Sequence, residues 1–262
     1  MRSILSLILF QVFSIFSLCA QPYYDTSIPN KYVKENTFLK EKPDNSVPPS
    51  FDDIKSKLPE PFWNSNADVI KAYWEMWKSV FSFTRSVNEK NGFIAPYVDP
   101  SFNDYIFMWD ECFITMYGMY GREAFNFQNS LNNFYSNQHK DGYISRQISM
   151  KDGSMRFEKY DITSTGPNIM PWAEWEYFVN VRDTIRLKRV FPPLLAYYQW
   201  YRMHKSWPDG SYYSNGWGSG IDNQPRIPQG KQYDNRFSHG FMSWIDITLQ
   251  QIFVGKILIC KN

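Results

Sequence analysis

Between Asn66 and about Asn91 the apolar residues Val69, Ile70, Tyr73, Trp74, Trp77, Val80 and Phe81 return at intervals of three and four, and Gly92 follows. That period gives a helix one continuous apolar stripe and gives a strand none, so a long amphipathic helix is expected there. Further helical stretches are expected at about 110–121, 123–138, 169–180, 183–205 and 240–259. Pro192-Pro193 should bend or split the fifth of these, because proline lacks the donor that a helix interior uses. Alternation of the β type is short, at Tyr143 to Ile148 and Ser154 to Tyr160, which can pair as a hairpin across Lys151-Asp152-Gly153. The expected fold is therefore all-α: stacked helical hairpins with a short β-hairpin insertion and long loops whose ends converge on a pocket.

The flanks read differently. Residues 1–20 open on Met1-Arg2, run through Ile4 to Phe10 and on to Leu18 and Ala20, and meet the polar Gln21-Pro22. This has the form of a secretory signal peptide, so export to a secreted or periplasmic location is expected, with no stable membrane span after cleavage. From Gln21 to about Glu60 the chain is rich in Pro, Asn, Lys and Asp and reads as an extended lead-in that wraps the domain. Of three cysteines, Cys19, Cys112 and Cys260, removal of residues 1–20 would leave two, so no disulfide framework is expected and the core must carry stability.

Charge narrows the partners. Lys plus Arg number 28 against 26 Asp plus Glu, a net charge of +2, which gives no electrostatic case for nucleic acid or an anionic membrane surface. The aromatic fraction of 19% instead suits a neutral ligand with flat apolar faces and polar edges, such as a sugar ring. His139, His204 and His239 stand in no ligand spacing with each other or with the cysteines, so no metal site is expected. The absence of a glycine-rich phosphate loop leaves no cofactor to expect.

Four clusters place aromatics beside carboxylates and amides: Phe107-Met108-Trp109-Asp110-Glu111, Gln138-His139-Lys140-Asp141-Gly142, Thr165-Gly166-Pro167-Asn168-Ile169-Met170-Pro171-Trp172, and Trp217-Gly218-Ser219-Gly220-Ile221-Asp222-Asn223-Gln224-Pro225-Arg226. Carbohydrate pockets use such sets because a ring's C–H face stacks on an aromatic plane while its hydroxyls bond carboxylates, amides and guanidinium groups. In the last cluster glycines and Pro225 hold Asp222 beside the donors of Asn223 and Arg226, as a proton donor at a fixed angle requires. Each cluster also has a plain structural reading: Asp110 as a helix cap, Asp141-Gly142 as a turn, the Trp217 to Arg226 stretch as a surface loop.

The four clusters together resemble the trehalase-like glycosidases, whose fold is an α/α toroid of six helical hairpins, and within them glycoside hydrolase family 63 and the mannosylglycerate hydrolase-like enzymes. The resemblance runs from about Trp63 to Ile259. Its most specific part is Gly220 to Arg226, similar to the family's Gly-hydrophobic-Asp-Asn-Ser-Pro-Arg motif, with Gln224 in place of Ser. It implies that Asp222 is the general acid, that Trp109 and Asp110 hold the sugar being cleaved, and that Gln138, Asp141 and Trp172 belong to the family's binding loops, with Trp217, Asn223 and Arg226 about the acid. It also implies an inverting hydrolysis of an α-linked glucoside or mannoside, with a second carboxylate activating water. That residue, a Glu near the end of the family's domain, has no counterpart before Asn262. The chain is thus expected to be an incomplete catalytic domain; a non-catalytic carbohydrate-binding fragment is the alternative, and a purely structural helical domain leaves the motif coincidences unexplained.

Overall fold

A computed structural model describes residues 28–63, 65–99, 102–220 and 241–259. The segment read as a signal peptide, and Asp222, Asn223 and Arg226, lie outside the described residues. The described chain is built on helices, with three short two-stranded antiparallel ladders, in agreement with the all-α reading.

Helix α1, Ala67–Ser82, turns Trp77 and Phe81 inward. Their rings meet Phe127, each at 5.9 Å between centroids, and the cluster is completed by Ile54, Leu58 and Phe125. The helix stops well short of Asn91. Its last turn is closed by the Phe83 amide on Val80 and the Thr84 hydroxyl on Phe81, and the chain then enters strand β1, Thr84–Arg85, paired with β2, Tyr97–Val98. Beyond β1, the Asn88 side chain accepts from the amides of Lys90 and Asn91 and fixes a turn, the local use of Asn that competes with helix.

Strand β3, Tyr105–Phe107, runs directly into α2, Met108–Gly118. Helix α3 is shorter than expected, Asn129–Ser136, because the amides of Ala124 and Phe125 turn back to Gly121 and Phe127 folds under Gly118. A Cβ on Gly118 would lie 2.3 Å from the Phe127 ring. Helix α4, Met170–Val181, and helix α5, Thr184–His204, form a helical hairpin joined by Arg182 and Asp183. Asp183 caps α5 by accepting from the Arg186 amide at 2.9 Å. Pro192 and Pro193 lie inside α5 without dividing it. The carbonyls their missing N–H groups would have served belong to Lys188, which is exposed, and Arg189, half-buried, where water is at hand. Strand β5, Tyr213–Ser214, pairs with β6, Met242–Ser243, and α6, Ile245–Ile259, closes against α4 and α5. No described helix is long and apolar enough to cross a membrane.

The expected hairpin is corrected in its partner. Strand β4, Gln147–Ser149, does turn at 151–153, with the Ser149 amide on the Ser154 carbonyl and a single bridge between Ile148 and Met155. Its ladder, however, is made with β3, Ile106 facing Ile148, because both of those side chains are needed in the core. The lead-in is pinned along its length, from Asn30 on the Lys140 carbonyl to Asp44 on the Ile94 carbonyl. Asn36 donates to the Tyr135 carbonyl and to Gln138, each at 2.9 Å, and Phe38 is fully buried against Tyr135.

Gly142 is the tightest point of the loop between α3 and β4. Its φ is +103°, and a Cβ there would stand 2.5 Å from the backbone oxygen of Ala196 in α5. Gly142→Ala is expected to lower stability by about 3 kcal/mol, from backbone strain plus a clash that no side-chain rotation relieves, read as a shifted urea midpoint with an unchanged slope.

Candidate active site

A cavity of about 490 Å³ opens where the β3–α2 junction, the Arg146–Gln147 edge, the Gly166-Pro167 loop and the Trp217–Gly220 segment meet. Trp109, Asp110 and Glu111 are consecutive in the first turn of α2, and all three line this space. The Met108 amide bonds the Arg146 carbonyl at 2.9 Å, which ties that turn to the β4 side. The Arg146 guanidinium reaches across to the Trp217 carbonyl at 2.6 Å and lies over the Phe157 ring. Arg156 is held by the Gln147 side chain at 3.1 Å.

The Trp217 segment is fastened to the Pro167 loop from below. Asn215 donates to the Thr163 hydroxyl at 2.8 Å and accepts from the Gly218 amide at 2.7 Å. Gly220, with φ +72°, sits between Pro167 and Trp109; a Cβ there would be 3.0 Å from the proline ring and 3.6 Å from the indole. The glycine thus lets the backbone run along the cavity wall immediately before Ile221-Asp222.

The structure sorts the other expected residues. Trp172 lies one step away: its indole donates to Glu176 at 2.9 Å, and it continues an edge-to-face row from Trp109 through Phe113 to Phe253. Gln138 and Asp141 do not line the cavity. Gln138 is buried, donating to the carbonyls of Gly142 and Pro193 and accepting from Asn36. Asp141 is buried too, with Lys159 at 2.9 Å, the Trp200 indole at 3.0 Å and the Tyr143 amide at 3.2 Å. In these contacts both act as internal struts that hold the loop around Gly142.

Glu111 is the electrostatic peculiarity. Burial pushes its carboxyl well above the ordinary range; a hydrogen bond with Ser130 opposes that shift, and the neighbouring Asp99 and Asp110 add to it. Asp110 is exposed to the cavity, whereas Glu111 has 1% of its surface exposed. The cavity therefore combines aromatic faces, at least one open carboxylate and two guanidinium groups, the donor and acceptor set that a polyhydroxylated ring satisfies.

Residues 103–252 match the family model of the mannosylglycerate hydrolase MGH1-like glycoside hydrolase domain. The chain belongs to this family of glycoside hydrolase domains. It is similar to the solved structure of a GH63 mannosylglycerate hydrolase from Thermus thermophilus in complex with glucose, at 17% identity and a TM-score of 0.40, covering 65% of this chain and 48% of that one. It is also similar to an uncharacterized conserved protein from the same organism, at 18% identity and a TM-score of 0.38, covering 65% and 47%. The chain spans about half the length of these solved structures. No curated protein matches significantly. In this glycoside hydrolase domain, Asp99, Arg146 and Arg156 are cavity residues that the sequence did not announce, because each lies in a segment whose pattern speaks only of strand or loop.

Proposed function

We propose that the protein is an inverting glycosidase acting on an α-linked glucoside or mannoside, with the sugar in the cavity at Trp109 and Asp110 and Asp222 as the proton donor. The observation that carries this reading is the meeting of Trp109, Asp110, Trp217 and Gly220 on one cavity, together with membership of a glycoside hydrolase family. On this reading Trp109 supplies a stacking face, Asp110 accepts from ring hydroxyls, and Asp222 protonates the departing oxygen. A second carboxylate takes a proton from the attacking water on the opposite face. Residues 1–20, in the same reading, direct the protein to a secretory route.

The test is hydrolysis of aryl α-glucosides and aryl α-mannosides by the full chain, with the anomer released followed by NMR. Turnover with inversion supports the proposal; saturable sugar binding without turnover supports a carbohydrate-binding protein instead, and neither binding nor turnover overturns both. Binding has its own prediction. Trp109→Ala is expected to weaken methyl α-glycoside affinity about tenfold, about 1.4 kcal/mol, the order of one lost ring-stacking face, measured by quenching of the remaining tryptophan fluorescence.

A further inference from the structure

Three carboxyl groups, Asp99, Asp110 and Glu111, line one cavity. They are not equivalent. Asp110 is exposed, Asp99 has 3% of its surface exposed, and Glu111 has 1%. One Glu111 oxygen, Oε2, is sealed from solvent and has no hydrogen-bond partner, an arrangement that a buried carboxylate anion tolerates poorly. Burial disfavours the Glu111 anion, and the neighbouring Asp99 and Asp110 add to that cost. Glu111 directly follows Trp109 and Asp110 in the first turn of α2, the turn that carries both residues on the cavity wall.

We propose that Glu111 is a positioning residue of this cavity: as the neutral acid it lets the first turn of α2 stay seated, with Trp109 and Asp110 on the wall, and on ionising it unseats that turn, so that ligand affinity falls as the pH rises. The affinity arm rests on the reading of the cavity as a sugar site. The groups that set the charge around Glu111 come from each neighbouring element. Asp110, Cys112 and Tyr117 share its helix, Tyr97 and Asp99 come from β2 and the residue after it, and Ser130 comes from α3. Arg146 and Arg156 stand on the β4 side of the same cavity. The Tyr97 and Tyr117 phenols are pushed up by burial first and by neighbouring carboxyls including Glu111, Tyr117 to about 12, so neither titrates across the range tested.

The direction follows from linkage. A carboxyl raised on folding contributes stability that is fully present below its unfolded value, near 4.5, and is lost as the pH climbs towards the folded value. Affinity for methyl α-D-glucoside and methyl α-D-mannoside, followed by tryptophan fluorescence between about pH 5 and about pH 9, is expected to fall about tenfold in the wild type. In Glu111→Gln, which keeps the size and stays neutral, affinity is expected to hold its acid-side value throughout. Parallel profiles in the two proteins, or loss of binding at every pH in Glu111→Gln, overturn the proposal.

Urea unfolding without sugar separates this from the sugar reading. Wild-type stability is expected to drop across the same range relative to Glu111→Gln, and equal pH dependence in the two overturns the role of Glu111. If neither protein binds sugar at any pH, the sugar reading fails while unfolding still decides whether Glu111 seats the turn. Should Glu111→Gln fail to fold, carboxyl-labelled glutamate in the wild type is followed by NMR: one carboxyl titrating well above all the others is expected, and ordinary titration of every glutamate overturns the proposal.

Discussion

Arg186→Met is expected to destabilise the fold by about 3–5 kcal/mol, enough to unfold much of the protein at moderate temperature. Arg186 and Glu174 form a two-pronged pair, Nε on Oε2 at 2.8 Å and Nη2 on Oε1 at 2.7 Å, with 10% and 1% of their side chains exposed. The guanidinium also donates to Asn132 at 3.1 Å and to the Gln128 carbonyl at 3.0 Å, while the Tyr135 hydroxyl donates to Glu174 at 3.0 Å. One side chain of α5 thus links α3, α4 and the turn before α3. Methionine fills most of the volume but leaves Glu174 an uncompensated buried charge and strands the Asn132 and Gln128 acceptors. The double variant Arg186→Met, Glu174→Leu is expected to recover a large part of the loss, because it removes the orphaned charge. A double variant no more stable than Arg186→Met would show that the lost guanidinium bonds, not the buried charge, dominate.

The same physics explains what the sequence disclosed. Helix α1 was legible because it buries one face and so carries a period in its apolar residues, whereas α6 is apolar all round, with Ile245, Leu249, Ile252, Phe253 and Ile259 exposed, and shows itself by composition and length instead. Limits were less legible where a distant segment decides them: α1 ends where β1 finds β2, and β4 makes its ladder with β3, well upstream, keeping a single bridge to Met155 on its sequence neighbour. In the site, Trp109 and Asp110 were readable as an aromatic and an acid at a helix start, and both reach the cavity. Gln138 and Asp141 have the same chemistry, yet it is spent on Asn36, Lys159 and Trp200. A polar side chain that binds a sugar and one that satisfies a buried loop have the same composition, and only the partners distinguish them. Glu111 stands in the first cluster without a role of its own, because its peculiarity is burial, which its neighbours in sequence do not encode.

Asp222→Asn is expected to lower the hydrolysis rate by about 10²–10⁴-fold if Asp222 is the proton donor, and the way the loss depends on the leaving group identifies the role. A general acid matters in proportion to the basicity of the departing oxygen. A nitrophenolate leaves with little help, so aryl glycosides with acidic phenols should lose least, while alkyl and sugar leaving groups should lose most. An isosteric amide also cannot ionise, so the limb of the pH–rate profile that reports loss of the acid's proton should vanish in the variant. Affinity for a thio-linked α-glycoside, which resists hydrolysis, should change little, because the donor acts on the transition state. Equal losses for all leaving groups, with the pH limb intact, would assign Asp222 to holding the sugar rather than protonating it. Asp222 lies outside the described residues, but Gly220, two positions before it, lies on the cavity wall between Pro167 and Trp109. The leaving-group series is therefore decisive, since it asks about the proton itself and not about the neighbourhood of the loop.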